Sequence, residues 1–219
     1  MHFQNDLTRT LNIRYPLVMA PMFLVSNEAM VKAAIKSGIL GCFPSLNYRA
    51  PGSLEKLLVE LNRCTSKFPG GNYAVNIIVQ QTNRLRDEHL KNCVEQQVPV
   101  YITSLGNPTP VIEAAKSYGA KVFCDVTNQV HAKKCAEAGC DGFIAVGQGA
   151  GGHAGPFPTH LLVRSLKKSF PDLPVMAAGG IADGPSILAT LASGASAAYC
   201  GTRFIASSES GVSPEYTKA

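Results

Sequence analysis

The chain has 219 residues, 46% of them hydrophobic, which suits one domain or one barrel of slightly less than usual size and leaves little room for two compact domains. Its formal charge of +5 comes from 20 basic residues spread without a dense run, so an anionic small ligand fits better than nucleic acid or a membrane surface. No apolar stretch reaches the ~18 residues of a membrane span, and the start MHFQNDLTRT lacks a signal-peptide layout. We therefore predict a cytoplasmic protein.

In chain order, short apolar runs alternate with longer amphipathic runs, and no polar linker divides them. This alternation is typical of strands that are each followed by a helix. Eight strands are predicted to start at Pro16, Ile39, Tyr73, Pro99, Lys121, Gly142, Pro174 and Ser196. Seven helices are predicted over residues 26–36, 53–63, 83–95, 109–117, 128–138, 159–169 and 184–192.

The boundaries of these helices carry ordinary capping residues. Ser26 and Ser53 are candidate N-caps, since serine accepts a hydrogen bond from the first turn. Glycines stand where helices should end, because glycine adopts the left-handed conformation without strain, at Gly38, Gly119, Gly139 and Gly194.

Several strands are nearly continuous apolar runs, as expected for parallel strands with helices outside and side-chain layers inside. We therefore predict an α/β fold, a (β/α)8 TIM barrel, as a single domain over residues 1–219; a doubly wound open sheet is the structural alternative. After the eighth strand only GTRFIASSESGVSPEYTKA remains. We expect a barrel that lacks the final outer helix and the C-terminal lid region, with an open apolar seam that favours a homo-oligomer.

The seven cysteines form no CxxC pair and show no zinc-ligand spacing with histidine, so no metal site is expected. We predict free thiols that pack as small apolar groups in a reducing compartment. They are Cys42, Cys64, Cys93, Cys124, Cys135, Cys140 and Cys200.

In a parallel barrel the functional groups lie where strands end. Gly179 and Gly180 follow strand seven, and Gly201 and Thr202 follow strand eight. Glycines let backbone N–H groups approach a ligand, and a short helix starting near Thr202 would point its positive end at an anion. This pattern predicts a phosphate site, which FMN, a sugar phosphate or a nucleotide would fit.

A glycine-rich loop over residues 147–155 follows strand six and carries His153. It contains a formal GxGxxG, but two prolines follow before any helical pattern, so a dinucleotide fingerprint is disfavoured. Its glycines have no obvious packing role, and histidine titrates near neutrality, so His153 suits a general base or an anion-orienting donor. The other histidines are expected to be hydrogen-bonded loop residues: His2, His89, His131 and His160.

Other strand ends add groups to the same mouth. Ala20, Pro21 and Met22 place a rigid turn and a flexible apolar side chain after strand one, and Asn76 interrupts the apolar run of strand three. A buried amide must find partners, which the rim of a heteroaromatic ring would supply. Further polar groups are expected to face the mouth at Thr103, Ser104 and Asp125.

In combination these motifs resemble the nitronate monooxygenase family, formerly called 2-nitropropane dioxygenases. The matching motifs are MAPM after strand one, VNI on strand three, ITSLGNP after strand four, AGGHAG after strand six, AAGGIADG after strand seven and GTRF after strand eight. They occur in the family's order from about residue 10 to the last residue.

The resemblance implies an FMN-dependent barrel that oxidises alkyl nitronates or nitroalkanes with molecular oxygen. The phosphate would be held by the loops with Gly179, Gly180, Gly201 and Thr202, and His153 would match the family's catalytic histidine. The remaining implied flavin contacts are Ala20, Pro21, Met22, Asn76, Gln148, Gly151 and Gly152. Gln148 stands five residues before His153, which is closer than the family's usual glutamine.

Other functions stay open at this point. Relatives with the same flavin fold reduce quinones or enoyl thioesters with NAD(P)H, and the motifs do not separate the two reactions. A truncated, non-catalytic FMN-binding remnant is a second alternative. A phosphate-binding isomerase or aldolase barrel would need a catalytic Lys or Glu at a strand end, and the sequence places none there.

Overall fold

The computed structural model describes residues 3–213. Eight parallel strands close a barrel in chain order, and β1 pairs with β8 through Leu17 with Ala198 and Met19 with Cys200. This closure confirms the predicted barrel over the open sheet. The strands are β1 Leu17–Met19, β2 Leu40–Pro44, β3 Asn72–Ile78, β4 Val100–Ser104, β5 Lys121–Val126, β6 Gly142–Val146, β7 Val175–Ala178 and β8 Ala197–Cys200.

Each predicted helix is present, including the short one expected near Thr202, and one further short helix lies at the amino-terminal end. The helices are α1 Asp6–Thr10, α2 Glu28–Lys36, α3 Ser53–Lys67, α4 Arg86–Glu95, α5 Thr109–Lys116, α6 Gln129–Ala138, α7 Thr159–Ser169, α8 Gly184–Ala192 and α9 Thr202–Ile205. Two 3₁₀ turns cover Ser45–Asn47 and Ser208–Ser210. None of the helices among residues 3–213 is long and apolar enough to cross a bilayer.

Both predicted serine N-caps are wrong, whereas the four glycines predicted at helix ends do have positive φ angles. Asn27 caps α2 by accepting the Met30 N–H at 3.0 Å, while the Ser26 hydroxyl accepts the Met22 N–H at 2.9 Å and closes the loop after β1. Gly52 precedes α3, and Ser53 is its first helical residue. Asparagine and serine cap equally well, so the residue types alone could not decide between neighbours.

The short helix α1 closes the amino-terminal end of the barrel. Leu7, Leu11 and Ile13 pack against the side chains that fill the barrel interior. The Asn5 amide donates a hydrogen bond to the Ser196 carbonyl at 2.7 Å, which attaches α1 to the residue just before β8. The open mouth of the barrel is therefore at the carboxyl ends of the strands.

The barrel interior changes character along its axis. Its apolar residues belong to one packed cluster, which includes Val18, Leu40, Cys42, Ala74, Ile102, Phe123, Ile144 and Met176. Towards the carboxyl ends, polar side chains replace apolar ones at Asn76, Ser104, Asp125 and Tyr199. A second cluster lies between the strands and the surrounding helices. All seven cysteines are free and buried, as predicted.

Helix α8 differs from the other outer helices because it buries none of its residues. Leu188 on its surface is 61% exposed. Within residues 3–213, only the single turn α9 and one 3₁₀ turn follow β8. An exposed apolar helix face therefore lies beside the last strand.

Candidate active site at the barrel mouth

The loops after β6, β7 and β8 interlock through their backbones. The Gly180 N–H donates to the Gly149 carbonyl at 3.0 Å. A Cβ at Gly179, where φ is +127°, would lie 3.0 Å from the carbonyl carbon of Gly149. A Cβ at Gly151 would lie 3.6 Å from the Thr202 Oγ1. The structure thus brings the three predicted glycine loops into one wall of the mouth.

The glycines of the loop after β6 have two different surroundings. A Cβ at Gly147 would lie 2.1 Å from the Thr159 Oγ1, and one at Gly155 would lie 2.3 Å from the Val146 carbonyl oxygen. The expectation that these glycines lack a packing role is therefore wrong at both ends of the loop, because side chains there would collide with neighbouring atoms. At Gly152, with φ +76°, a Cβ would meet no atom within 4 Å. The centre of the loop is open.

The loop after β1 lies beside the loop after β8. The Ala20 N–H donates to the Cys200 carbonyl at 2.7 Å. A Cβ at Gly201 would lie 3.7 Å from both the Ala20 Cβ and the Met22 Sδ. Pro21 and Met22 are half-buried. These predicted residues therefore continue the glycine wall around the mouth.

Asn47 stabilises a loop of the mouth, and the sequence patterns did not predict this role. Its amide donates to the carbonyls of Met22 at 3.2 Å and Ser26 at 3.0 Å, and its Oδ1 accepts the Leu24 N–H at 2.9 Å. These bonds fasten the loop after β1 to the turn after β2. An asparagine three residues after a strand was the available signal, but its partners lie more than 20 positions away in sequence.

A hydrogen-bonded chain of three polar side chains crosses the floor of the mouth. The buried Asn76 amide donates to the Ser104 Oγ at 2.9 Å and to the Ile102 carbonyl at 3.2 Å. The Ser104 hydroxyl donates in turn to the Asp125 Oδ2 at 2.5 Å. Both amide hydrogens of Asn76 are thus engaged inside the floor, and the chain ends on a carboxylate.

Asp125 is the residue of this floor whose charge affects its neighbours. Its Oδ1 is buried and has no hydrogen-bond partner among the described residues. Burial raises the pKa of the Asp125 carboxyl to about 6, against the opposing effects of the Ser104 hydrogen bond and the charge on His153. Burial also raises the pKa of Cys42 and Tyr199, and the negative charge of Asp125 raises both further. The two neighbours are therefore neutral near pH 7.

Thr103 does not face the mouth, contrary to expectation. Its hydroxyl donates to the Cys124 Sγ at 3.1 Å, and Cys124 belongs to the cluster between strands and helices. Since side chains alternate along a strand, Ile102 and Ser104 on either side of it point into the barrel.

His153 lies exposed in the loop after β6, near enough to Asp125 for its charge to affect that carboxyl group. The side chain of Gln148 is also exposed, and its backbone N–H donates to the Phe157 carbonyl at 2.8 Å. The structure therefore links His153 electrostatically to the polar floor, while Gln148 has no comparable link to it.

The loop location expected for the other histidines is wrong for those that the structure describes. His89 is buried in α4, and its Nδ1 lacks a hydrogen-bond partner within residues 3–213. His131 lies in α6 with its Nδ1 3.1 Å from the Thr127 hydroxyl, and His160 is exposed in α7. His2 is outside the described residues. None of the three lies at a strand end, which leaves His153 as the histidine of the mouth among residues 3–213.

Apolar side chains stand on the rim of the mouth. Phe23 and Leu24 follow β1 and Leu105 follows β4, and all three are exposed. Leu24 and Leu105 both have φ of +62°, a left-handed conformation that costs roughly 1–3 kcal/mol for a residue with a side chain. The rim therefore presents apolar surface to whatever enters the mouth.

The mouth fits a flat ligand that carries a phosphate. The open surface at Gly151, Gly152 and Gly180 is a cradle in which a Cβ would meet either no atom within 4 Å or only the Thr202 Oγ1. Glycine loops after strands seven and eight are the usual phosphate site of a parallel barrel. This arrangement is typical of barrel enzymes whose ligand or cofactor carries a phosphate.

Comparison with known proteins identifies the family within that class. A sequence model described as "Nitronate monooxygenase" matches residues 71–219. The nitronate monooxygenase of Paraburkholderia phytofirmans is 30% identical over 95% of this chain and 68% of its own length. A Rhodococcus jostii protein, (3aS,4S,5R,7aS)-5-hydroxy-7a-methyl-1-oxo-octahydro-1H-indene-4-carboxyl-CoA dehydrogenase, is 31% identical over 94% of this chain. The solved structure of FabK from Thermotoga maritima matches 98% of this chain and 67% of that chain, at 36% identity and a TM-score of 0.88.

The chain belongs to the nitronate monooxygenase family, as its motifs predicted. This is a family of flavin-dependent oxidoreductases. The chain spans 56% of the length of the Rhodococcus protein. The reaction and the substrate of the whole protein are therefore proposed from the site and are not taken over from these relatives.

Proposed function

We propose that the protein is an FMN-dependent oxidoreductase that oxidises alkyl nitronates and nitroalkanes with molecular oxygen. The observation that carries the proposal is the placement of one histidine, His153, beside a glycine cradle and above a polar floor in a barrel of this family. The apolar rim of Phe23, Leu24 and Leu105 suits the alkyl part of such a substrate.

One group of residues in the mouth would contact the phosphate of FMN, and another would contact its ring. Gly179, Gly180, Gly201 and Thr202 would hold the phosphate, because their backbones can approach it closely. The ring would lie against Ala20, Pro21, Met22 and Asn76, beneath the loop containing Gln148, Gly151 and Gly152. When bound, FMN supplies the electron transfer from substrate to oxygen, while the protein supplies position and charge.

His153 would accept the α-proton of a neutral nitroalkane or orient a nitronate that is already ionised. Its exposed position lets an incoming substrate reach the imidazole directly. General-base catalysis by a positioned side chain contributes about 10²–10⁴-fold to a rate. Asp125 lies close enough for the positive charge that this transfer creates on His153 to interact with its carboxyl group.

A second candidate function is an NAD(P)H-dependent flavin reductase of enoyl thioesters or quinones. The likeness to the R. jostii protein favours it, because that relative is named a dehydrogenase of a carboxyl-CoA. Anaerobic mixing of the FMN-loaded protein with propyl nitronate, and separately with NADH, distinguishes the two. Bleaching of the flavin absorbance by nitronate alone supports the proposed function, whereas bleaching only by NADH supports the reductase and overturns the proposal.

We expect Gly151→Ala to weaken FMN binding about tenfold or more without impairing folding. The added methyl would enter the cradle 3.6 Å from the Thr202 Oγ1, with no clash and no positive φ at this position. A tenfold loss corresponds to about 1.4 kcal/mol of binding free energy. Titration of the apoprotein with FMN, followed by flavin fluorescence, measures the dissociation constant.

Gly184→Ala at the start of α8 is the matched control, since a Cβ there also meets no atom within 4 Å and φ is not positive. Equal dissociation constants for Gly151→Ala and the control would show that the ligand does not occupy the cradle at Gly151.

A further inference from the structure

We infer that Asp125 is a specificity-determining residue that selects substrates by charge: when ionised, it disfavours an anionic nitronate in the mouth relative to a neutral nitroalkane or thioester. The inference rests on the proposed function only for the choice of substrates. The charge selection itself follows from the floor of the barrel, so it would also apply to other ligands of the mouth.

The geometry leaves one oxygen of Asp125 uncompensated. The Ser104 hydroxyl donates a hydrogen bond to Oδ2, whereas the buried Oδ1 has no hydrogen-bond partner among the described residues. Buried carboxylates usually have their oxygens hydrogen-bonded, so an orphaned oxygen at the floor of a ligand site calls for an explanation. A ligand above the floor lies near a negative charge that is poorly screened by water when Asp125 is ionised.

The groups around Asp125 contribute little compensating charge. Cys42 of β2 and Tyr199 of β8 are held neutral by burial, and Cys135 of α6, whose pKa is raised chiefly by its hydrogen bond with Cys124, is neutral too. His153, from the loop after β6, is the one group of this set that can carry a positive charge. Because the imidazole is exposed, water screens its charge more than that of Asp125.

The charge of the floor changes with pH. Since burial raises the pKa of Asp125 to about 6, the carboxyl group is mostly ionised at pH 7.5 and mostly protonated at pH 5. An anion should therefore bind better as the pH falls through about 6. Variants that remove the Asp125 charge or its hydrogen bond test this dependence.

Asp125→Asn removes the charge but keeps the shape and an acceptor oxygen. At pH 7.5 we expect the ratio of the KM for propyl nitronate to the KM for 1-nitropropane to fall about tenfold, because juxtaposed like charges are costly. We also expect the FMN-loaded variant to bind nitrate, an inert anion with the planar shape of a nitro group, about tenfold more tightly. Changes in the flavin absorbance report the nitrate dissociation constant without turnover.

Ser104→Ala is the matched control, because it keeps the Asp125 carboxyl group and removes its hydrogen-bond donor. Loss of that donor should raise the pKa of Asp125 further, since the hydrogen bond favours the carboxylate. Infrared difference spectra against pH should show a protonated-carboxyl band that appears near pH 6 in the wild type, at higher pH in Ser104→Ala, and not at all in Asp125→Asn.

Unchanged nitrate affinity in Asp125→Asn, or a carboxyl band insensitive to both variants, would overturn the inference. Nitrate binding and infrared spectra need no substrate turnover, so they separate this inference from the proposed function. Tighter nitrate binding in a protein that does not oxidise nitronates would support the charge selection and reject the function. Nitronate oxidation with an unchanged KM ratio would support the proposed function and reject the charge selection.

Discussion

Replacing His153 with alanine should lower kcat/KM for a neutral nitroalkane by about 10²–10⁴-fold, the usual loss when a positioned general base is removed. The imidazole is exposed, and no glycine contact of the loop depends on it, so folding and flavin content should be close to those of the wild type. Steady-state oxygen consumption with 1-nitropropane measures the loss. The same assay with propyl nitronate, which has already lost its α-proton, should show a smaller decrease.

His160→Ala provides the control for His153→Ala, because His160 is an exposed histidine in the first turn of α7, outside the loop over residues 147–155. It should retain wild-type kinetics with both substrates. Wild-type turnover of 1-nitropropane by His153→Ala would exclude the histidine from proton transfer. An equal loss with the neutral and ionised substrates would assign His153 to substrate orientation and not to base catalysis.

Asp125→Asn should make the folded protein more stable than the wild type at pH 8, by up to about 3 kcal/mol. An unfolded aspartate has a pKa of about 3.9, whereas burial raises the pKa of Asp125 in the folded chain to about 6. Each unit of difference corresponds to about 1.4 kcal/mol. Stability contributed by the protonated carboxyl is fully present below about pH 4 and is lost as the pH rises through about 6.

Urea unfolding of both proteins between pH 4 and pH 8 measures this difference. The advantage of Asp125→Asn should grow between pH 4 and pH 7 and then level off. Asp183→Asn is a control of opposite sign, because the hydrogen bonds from Ser186 lower the pKa of the exposed Asp183. The wild-type protein should therefore become more stable relative to Asp183→Asn as the pH rises. If the difference in unfolding free energy between Asp125→Asn and the wild type did not change with pH, other groups would have to stabilise the Asp125 carboxylate in the folded chain.

Much of the architecture was predictable because it depends on repeated local patterns. Eight short apolar runs alternate with seven amphipathic ones, and both the strands and the closed barrel are confirmed. Helix α1 was missed because its single helical turn is too short to show a periodicity. Its role as a plug depends on contacts with strands that lie far away in sequence.

The candidate site was predictable only at the level of loops. Motifs placed the glycines and His153 at strand ends, but the direction of each side chain depends on strand register to one residue. Thr103 was therefore assigned to the mouth although it faces the helices, beside Ser104, which does face the mouth. The buried, half-satisfied state of Asp125 arises from Ser104 and the closed barrel together, which no local pattern reveals.

The binding of FMN compared with riboflavin tests the central claim most directly, namely that the glycine loops after β7 and β8 hold the phosphate of a flavin at this mouth. The two ligands share the ring and differ only in the phosphate. Calorimetric titration of the apoprotein should give a dissociation constant for FMN at least about 100-fold lower than for riboflavin, since charge-assisted phosphate contacts are strong. Equal affinities would place the phosphate outside these loops, and a failure to bind either flavin would contradict the account.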